Sequence, residues 1–147
     1  MLCQALQLFI NIINDAKLAE QGFIANRALE FFDNGGILGN VVNGGLLAGH
    51  GAVGGNLISS GIVTPGAGSA SYQTLTVDGN YSQGAGAVYL AQINPAQSGA
   101  SSRIAVNGSA TLASGAVITL APLAATTTFQ KGDRYTVLSA GNGLSGT

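Results

Sequence analysis

Gly39-Asn40-Val41-Val42-Asn43-Gly44-Gly45-Leu46-Leu47-Ala48 can be laid over Gly55-Asn56-Leu57-Ile58-Ser59-Ser60-Gly61-Ile62-Val63-Thr64. Apolar residues then meet apolar ones, and small turn formers meet small ones. Further on, Val77-Asp78-Gly79 matches Val106-Asn107-Gly108, and Gly86-Ala87-Val88 matches Gly115-Ala116-Val117 at the same offset. Such self-similarity dictates architecture before any single motif does. The pairs Val41-Val42, Leu46-Leu47, Ala52-Val53, Leu57-Ile58 and Ile62-Val63 recur about every five residues, too closely for hairpins of ordinary strand length.

The spacing predicts an all-β chain that winds as a coil of short strands joined by tight corners. Gly takes positive φ freely at such corners, and Asn tolerates it better than most residues. Each coil pairs in parallel with the next, about 4.8 Å away. One side chain in two points inward and stacks on its equivalents, so stability is a sum of coil-to-coil interfaces. Val41, Leu57, Val77, Val106 and Val117 are expected to mark these apolar columns. The stretches Gln73 to Val77, Ala87 to Ile93, Ala116 to Leu120 and Arg134 to Leu138 read as longer strands, so the coils widen toward the C-terminus.

Composition agrees with a stacked coil. Of 147 residues, 23 are Gly and 3 are Pro; 46% are hydrophobic and only 7% are charged. A repeated outward charge would sit one strand spacing from its equivalent, which is unfavourable. Ser, Thr, Asn and Gly avoid that repulsion. The same numbers argue against a disordered solvating chain, which would be highly charged, and against collagen, which needs Gly at every third position. The net charge of -1 argues against a nucleic-acid partner. The single Cys, Cys3, forms no internal disulfide and reads as a small buried or frayed residue. Mean hydropathy is +0.37. No apolar run approaches the roughly 20 residues of a spanning helix, so no direct membrane span is expected.

The chain divides unequally. Residues 1–33 hold Asp15, Lys17, Glu20, Arg27, Glu30 and Asp33, and only one Gly, Gly22. Leu2, Leu6, Phe9, Ile13 and Ala16 recur at helical spacing, which predicts a short amphipathic helix within positions 2–20. The β-branched run Leu8 to Ile13 competes with it. Ala28-Leu29-Glu30-Phe31-Phe32 reads as a strand and Asp33-Asn34-Gly35-Gly36 as a turn. This N-terminal segment is expected to cap the coil or to form its first turn. Residues 34–147 form the coil itself.

Few motifs carry chemistry. Gly49-His50-Gly51-Ala52-Val53-Gly54 fits G-x-G-x-x-G, but the following Gly55 to Gly61 does not open the helix that a dinucleotide site requires. His50, the only His, has no acid near it in sequence and reads as a turn residue on a solvated corner. Asp78 and Asp133 are isolated carboxylates. A coil-folded hydrolase would need them gathered in one groove, with His50 as a further candidate. Asn80-Tyr81-Ser82 and Asn107-Gly108-Ser109 match the glycosylation triplet, as chance allows in so Ser- and Asn-rich a chain. Lys131-Gly132-Asp133-Arg134 reads as a charged turn before a strand Tyr135 to Leu138. No catalytic, cofactor-binding or metal-binding residue is assigned, and no cofactor is expected.

From Gly35 onward the chain resembles the C-terminal part of the passenger of classical (type V) autotransporters. The carrying residues are Gly45-Leu46-Leu47-Ala48-Gly49-His50-Gly51-Ala52-Val53-Gly54, Ser60-Gly61-Ile62-Val63-Thr64-Pro65-Gly66 and Leu75-Thr76-Val77-Asp78-Gly79-Asn80-Tyr81. Gly132-Asp133-Arg134-Tyr135-Thr136-Val137-Leu138 and Gly143-Leu144-Ser145-Gly146-Thr147 complete the set. Leu29-Glu30-Phe31-Phe32-Asp33 also resembles a passenger repeat. The resemblance implies a right-handed parallel β-helix that precedes a membrane-inserted β-barrel, the expected partner. It also implies a non-enzymatic, autochaperone-like role at the bacterial cell surface. No export signal and no barrel are read in the sequence, which therefore reads as a fragment. The alternative is an adhesin-type surface that meets host glycans, or like chains through strand edges.

Overall fold

The computed structural model describes residues 12–14, 17–18, 23–26, 30–33, 36–66, 72–122 and 128–146, with no helix among them. Short strands separated by small residues pass through three sheets in turn. The first circuit is β1 (Ile12–Asn14), β2 (Lys17–Leu18) and β3 (Phe23–Asn26), and the second β4 (Glu30–Asp33), β5 (Gly36–Ile37) and β6 (Asn40–Asn43). The third is β7 (Leu46–Gly49), β8 (Ala52–Val53) and β9 (Leu57–Ser59), and the fourth β10 (Ile62–Pro65), β11 (Thr74–Val77) and β12 (Tyr81–Gln83). β13 (Val88–Ile93), β14 (Arg103–Val106) and β15 (Ala110–Leu112) make the fifth; β16 (Val117–Pro122), β17 (Leu138–Ala140) and β18 (Leu144–Gly146) make the sixth.

Each strand pairs in parallel with the strand one circuit on. This gives three six-stranded sheets: β1-β4-β7-β10-β13-β16, then β2 to β17, and β3 to β18, in the same steps. The fold is all-β and solenoid-like. The register is the one the internal repeat predicts. Val41 faces Leu57, Leu47 faces Val63, Val77 faces Val106 and Val88 faces Val117.

Alternation supplies the core. Along Val88–Ile93 every second residue is buried, as period two requires. The buried positions stack into columns: Leu47, Val63 and Tyr89 on the first sheet; Ile37, Val53, Val77 and Val106 on the second; Val41, Leu57, Tyr81 and Ala110 on the third. Burying one such Val or Leu stabilises the stack by about 1.5–3 kcal/mol. In the sixth circuit the columns end uncovered among the described residues. Ile118 is 38% exposed and Leu144 58%.

The corner from the second sheet to the third is built on a Gly-Asn step. Asn40 Oδ1 accepts from the Asn56 amide at 2.7 Å, Asn56 Oδ1 from Asn80 at 2.8 Å, and Asn80 Oδ1 from Ser109 at 2.8 Å. Each side chain rises over the preceding Gly of the next circuit. A Cβ on Gly79 would meet Asn56 Oδ1 and would lie 2.8 Å from the Gly55 carbonyl carbon. Gly is required there for close approach. Gly86 is different: its φ is +76° and nothing lies within 4 Å of a Cβ, so its requirement is conformational.

Four expectations are corrected. β1 and β2 lie within the stretch expected to be helical, because parallel pairing of Ile12 with Phe31 and Leu18 with Ile37 overrides the helical spacing. The remainder of positions 2–20, Cys3 included, lies outside the described residues. Of the strand expected at Ala28 to Phe32, Glu30 to Phe32 is observed and Ala28 and Leu29 lie outside the described residues, while Asp33, expected in the following turn, belongs to the strand. The last long strand is Leu138–Ala140, not Arg134 to Leu138, because residues 134–137 still belong to the loop before it. Val117 is 44% exposed and faces outward, since it pairs with Val88 beside the inward Tyr89–Ile118 column.

Two paired substitutions test this arrangement by urea denaturation. Val106→Asp, which buries an unpaired charge, should cost about 3–5 kcal/mol, and Val117→Asp less than about 1 kcal/mol. Gly86→Asn should keep near-native stability, because Asn accepts positive φ. Gly79→Asn should be strongly destabilised, because its Cβ has no room.

Candidate functional site

The circuits lengthen at one edge. Hydrogen-bonded equivalents lie 16 residues apart at Asn40–Asn56, 24 at Asn56–Asn80, 29 at Asn80–Ser109 and 34 at Thr111–Ser145. The widening predicted from sequence is therefore present. The corner from the second sheet to the third stays constant: Val53 to Leu57, Val77 to Tyr81, Val106 to Ala110, Ala140 to Leu144. Most of the growth enters between the first sheet and the second. That passage is Gly49 to Ala52 in the third circuit, then Pro65 to Thr74, Ile93 to Arg103 and finally Pro122 to Leu138. Insertions in stacked repeats collect on one face in this way, and that face is often the binding face.

The loops of the fifth and sixth circuits hold each other. The Asn94 amide donates to Ala100 O at 2.8 Å, and Ile93 bridges Ser101 in antiparallel sense, folding residues 94–100 back on themselves. Gly99 N donates to Arg134 O at 3.0 Å, and Arg134 N to Ser98 Oγ at 3.2 Å. Ser101 Oγ donates to Thr136 O at 3.2 Å, and the Tyr135 hydroxyl to Asn94 O at 3.0 Å. In the sixth-circuit loop the Gln130 amide donates to Asp133 Oδ2 at 3.0 Å, and the Phe129 and Tyr135 rings meet edge to face with centroids 6.4 Å apart. The Tyr135 phenol is pushed up by partial desolvation first, then by the Asp133 charge beside it, with a smaller contribution from Tyr72.

Arg103, Lys131 and Arg134 are all exposed on this edge, and none makes an ion pair with a described residue. Asp133, the one acid near them, is turned into its own loop. These three cations and Asp133, with Asp78, are the charged residues from Gly36 onward.

Inside the stack, buried side chains tie successive circuits along the axis. Gln83 Nε2 donates to Ala87 O at 2.9 Å and to Val117 O of the sixth circuit at 2.8 Å, while its Oε1 accepts from the Tyr81 hydroxyl at 3.1 Å. Tyr89 donates to Val137 O at 2.6 Å. Asn43 Nδ2 donates to Ser59 Oγ at 3.1 Å and to Ile62 O at 2.9 Å. The bonds of Gln83 to Val117, Tyr89 to Val137 and Asn43 to Ser59 and Ile62 cross between circuits, so these bonds form only when the stack is assembled. Burial raises the phenol of Tyr81, with Tyr89 adding to it, and burial likewise raises that of Tyr89.

The acids and the imidazole weighed for catalysis are not gathered in one place. Asp78 sits at the corner between the second and third sheets and accepts from Asn107 Nδ2 at 2.9 Å. His50 is exposed in the short third-circuit passage, and Asp133 lies on the sixth-circuit loop. His50 and Asp133 share an edge but lie three circuits apart, about 14 Å at the usual strand spacing. No group of three or more His, Cys, Asp or Glu that could hold a metal ion occurs among the described residues. In the G-x-G-x-x-G stretch, Gly49 ends β7 with φ +118°, and Ala52–Val53 is β8, so no helix opens there. Asn80 of one glycosylation triplet belongs to the amide ladder, and Asn107 of the other is bonded to Asp78.

Sequence reasoning missed Gln83, Tyr81 and Tyr89 as axial ties. It also missed the loop edge as a common site for Arg103, Phe129, Lys131 and Arg134. The succession of inward polar residues at equivalent positions, Asn43, Ser59 and Gln83, was the available signal for the first. The rising repeat length was the signal for the second. No protein-family model, curated protein or solved structure matches the chain.

The raised phenols fix a pH dependence. The unfolded chain ionises near the ordinary tyrosine value of about 10, before the folded one does. Stability is full below that value and is lost as pH rises above it. Urea midpoints measured from about pH 8 to about pH 11 should fall at the alkaline end, and Tyr81→Phe should make that fall shallower.

Proposed function

We propose that this chain is a structural, non-enzymatic part of a secreted autotransporter passenger that supports passenger folding and display at the outer membrane. On this reading the stack is a right-handed parallel β-helix, the sense that twisted strands favour in parallel crossovers. Three of the motifs that resemble the passenger family support the reading, because they fall on the strands and corners of the stack; Ser60 to Gly66 covers β10. Gly45 to Gly54 spans β7 and β8, and Leu75 to Tyr81 spans the Gly-Asn corner before β12.

The observation that carries the proposal is the axial bonding of the last three circuits. Gln83 and Tyr89 reach from the fourth and fifth circuits to backbone carbonyls of the sixth, and the two largest loops bond to each other. The earlier circuits have the amide ladder and the Asn43 bonds. Among the described residues, the C-terminal circuits thus carry both the side-chain bonds to the sixth circuit and the loop-to-loop bonds. In a nearest-neighbour stack such an end nucleates, and new circuits add to it as a template. A passenger that crosses the membrane unfolded would gain directional folding from it, since each added circuit opposes back-sliding.

Pulse-labelled hydrogen exchange during refolding tests the order. Amides of β11 to β17 should gain protection before those of β6 to β8, and earlier protection of β6 to β8 would remove the templating role. The cellular half of the proposal is tested separately. Protease added to intact cells that express the gene should reach the chain, and full protection until lysis would exclude surface display.

A further inference from the structure

We propose that the loop edge between the first and second sheets binds an acidic polysaccharide. The inference is independent of the templating role. It concerns the side of the stack, whereas templating concerns its axis.

From Gly36 onward the strands carry one charged residue, Arg103. Against that background Arg103, Lys131 and Arg134 are gathered on one edge, exposed and without an ion pair among the described residues. Asp133 is the one acid among them, so the edge carries three cations against one carboxylate, which is fixed in its own loop. Its Oδ2 is held by the Gln130 amide at 3.0 Å and lies 3.5 Å from the Tyr135 hydroxyl. The edge therefore offers an excess of positive charge to an incoming anion. Arg103 comes from the start of β14, and Lys131 and Arg134 come from the loop one circuit on, so the cations are stepped along the stack. A polymer with carboxylates on its sugar units meets such a series unit by unit.

The second feature is aromatic. Phe129 is 50% exposed, yet it is held by its edge-to-face contact with Tyr135, which is itself anchored to Asn94 O. A braced, half-exposed ring suits the apolar C–H face of a pyranose, and it loses little entropy on binding. Gln97 and Ser98, exposed on the adjoining loop, add groups that hydrogen-bond to sugar hydroxyls. The cross-loop bonds of Ser98, Gly99 and Ser101 fix these groups before any ligand arrives. Three cations on a chain of net charge -1 are too few to follow a nucleic-acid backbone, which carries a charge about every 1.7 Å.

Isothermal titration of the full chain with polygalacturonate, heparin and dextran tests the proposal. Polygalacturonate should bind, more weakly as salt rises, and dextran should not. A response to heparin equal to that to polygalacturonate would place sulfate alongside carboxylate as the recognised anion. The triple variant Arg103→Gln, Lys131→Gln, Arg134→Gln should lose about tenfold or more in affinity, and Phe129→Ala several-fold. Both variants should keep the wild-type urea midpoint, because all four side chains are exposed or half-exposed. Three results would overturn the proposal: no binding above dextran, binding unchanged in the triple variant, or tighter binding to duplex DNA or to vesicles of anionic lipid.

Discussion

Parallel stacking in register is the constraint on which the rest depends. Each residue of one circuit lies one strand spacing from its equivalent in the next, so a choice made once is repeated along a column. An inward Val or Leu becomes a continuous apolar column, as at Val41, Leu57, Tyr81 and Ala110. An outward charge repeated along a column would become a row of like charges, and from Gly36 onward the strands carry a single charged residue, Arg103. A Gly that admits one Asn side chain must be Gly wherever the Asn below it persists. The ladder Asn40, Asn56, Asn80 shows this rule, and it ends at Ser109, whose shorter side chain does not continue it.

The same constraint explains where change is tolerated. A corner that carries a ladder cannot take an insertion without breaking bonds in both neighbouring circuits. The passage between the first and second sheets carries no such ladder among the described residues, so loops grow there. Once two long loops occur in successive circuits they bond to each other, as Arg134 does to Ser98 and Gly99. Lys131, Asp133 and Arg134 lie on the sixth-circuit loop, which is free of strict repetition, and Arg103 stands at the first position of β14. Arg103, Lys131 and Arg134 have no like-charged equivalent directly above or below on a sheet. The charged edge is thus a consequence of the uncharged stack.

Much of the fold was legible because stacking writes itself into the sequence as repetition. The alignment of Gly39 to Ala48 on Gly55 to Thr64 is the observed register of β6 and β7 on β9 and β10, and Val77 to Val106 was likewise read from residues alone. Val117 was misread because Gly86-Ala87-Val88 and Gly115-Ala116-Val117 align correctly whichever way the valine points. Alignment fixes register and leaves facing open. The N-terminal stretch was misread because spacings of three and four arise by chance where period two is interrupted by corners. Arg134 to Leu138 has β-forming residues, but its first four serve as loop that bonds across to residues 94–101. Of the candidate edge, the sequence displayed the growing repeat length. It did not display the corner at which the extra residues enter, because that depends on which strands pair.

Folding and recognition then fall on separate directions of one object. Along the axis, Gln83 and Tyr89 tie the fourth and fifth circuits to the sixth through Val117 O and Val137 O, bonds that exist only in the assembled stack. Across the axis, the loop edge projects from circuits whose position is already fixed by that bonding. Residues 128–137 form no strand of their own that would order them. Here Tyr135, Ser101 and Gly99 dock them onto the preceding loop, and that loop is held by Ser102, whose Oγ accepts from the Gln92 amide at 2.8 Å. The rigidity of the edge is therefore borrowed from the stack. Among the described residues, the circuits tied to the sixth by Gln83 and Tyr89 are ones that carry the long loops, because a wide circuit without axial ties would have nothing to set its loop in place.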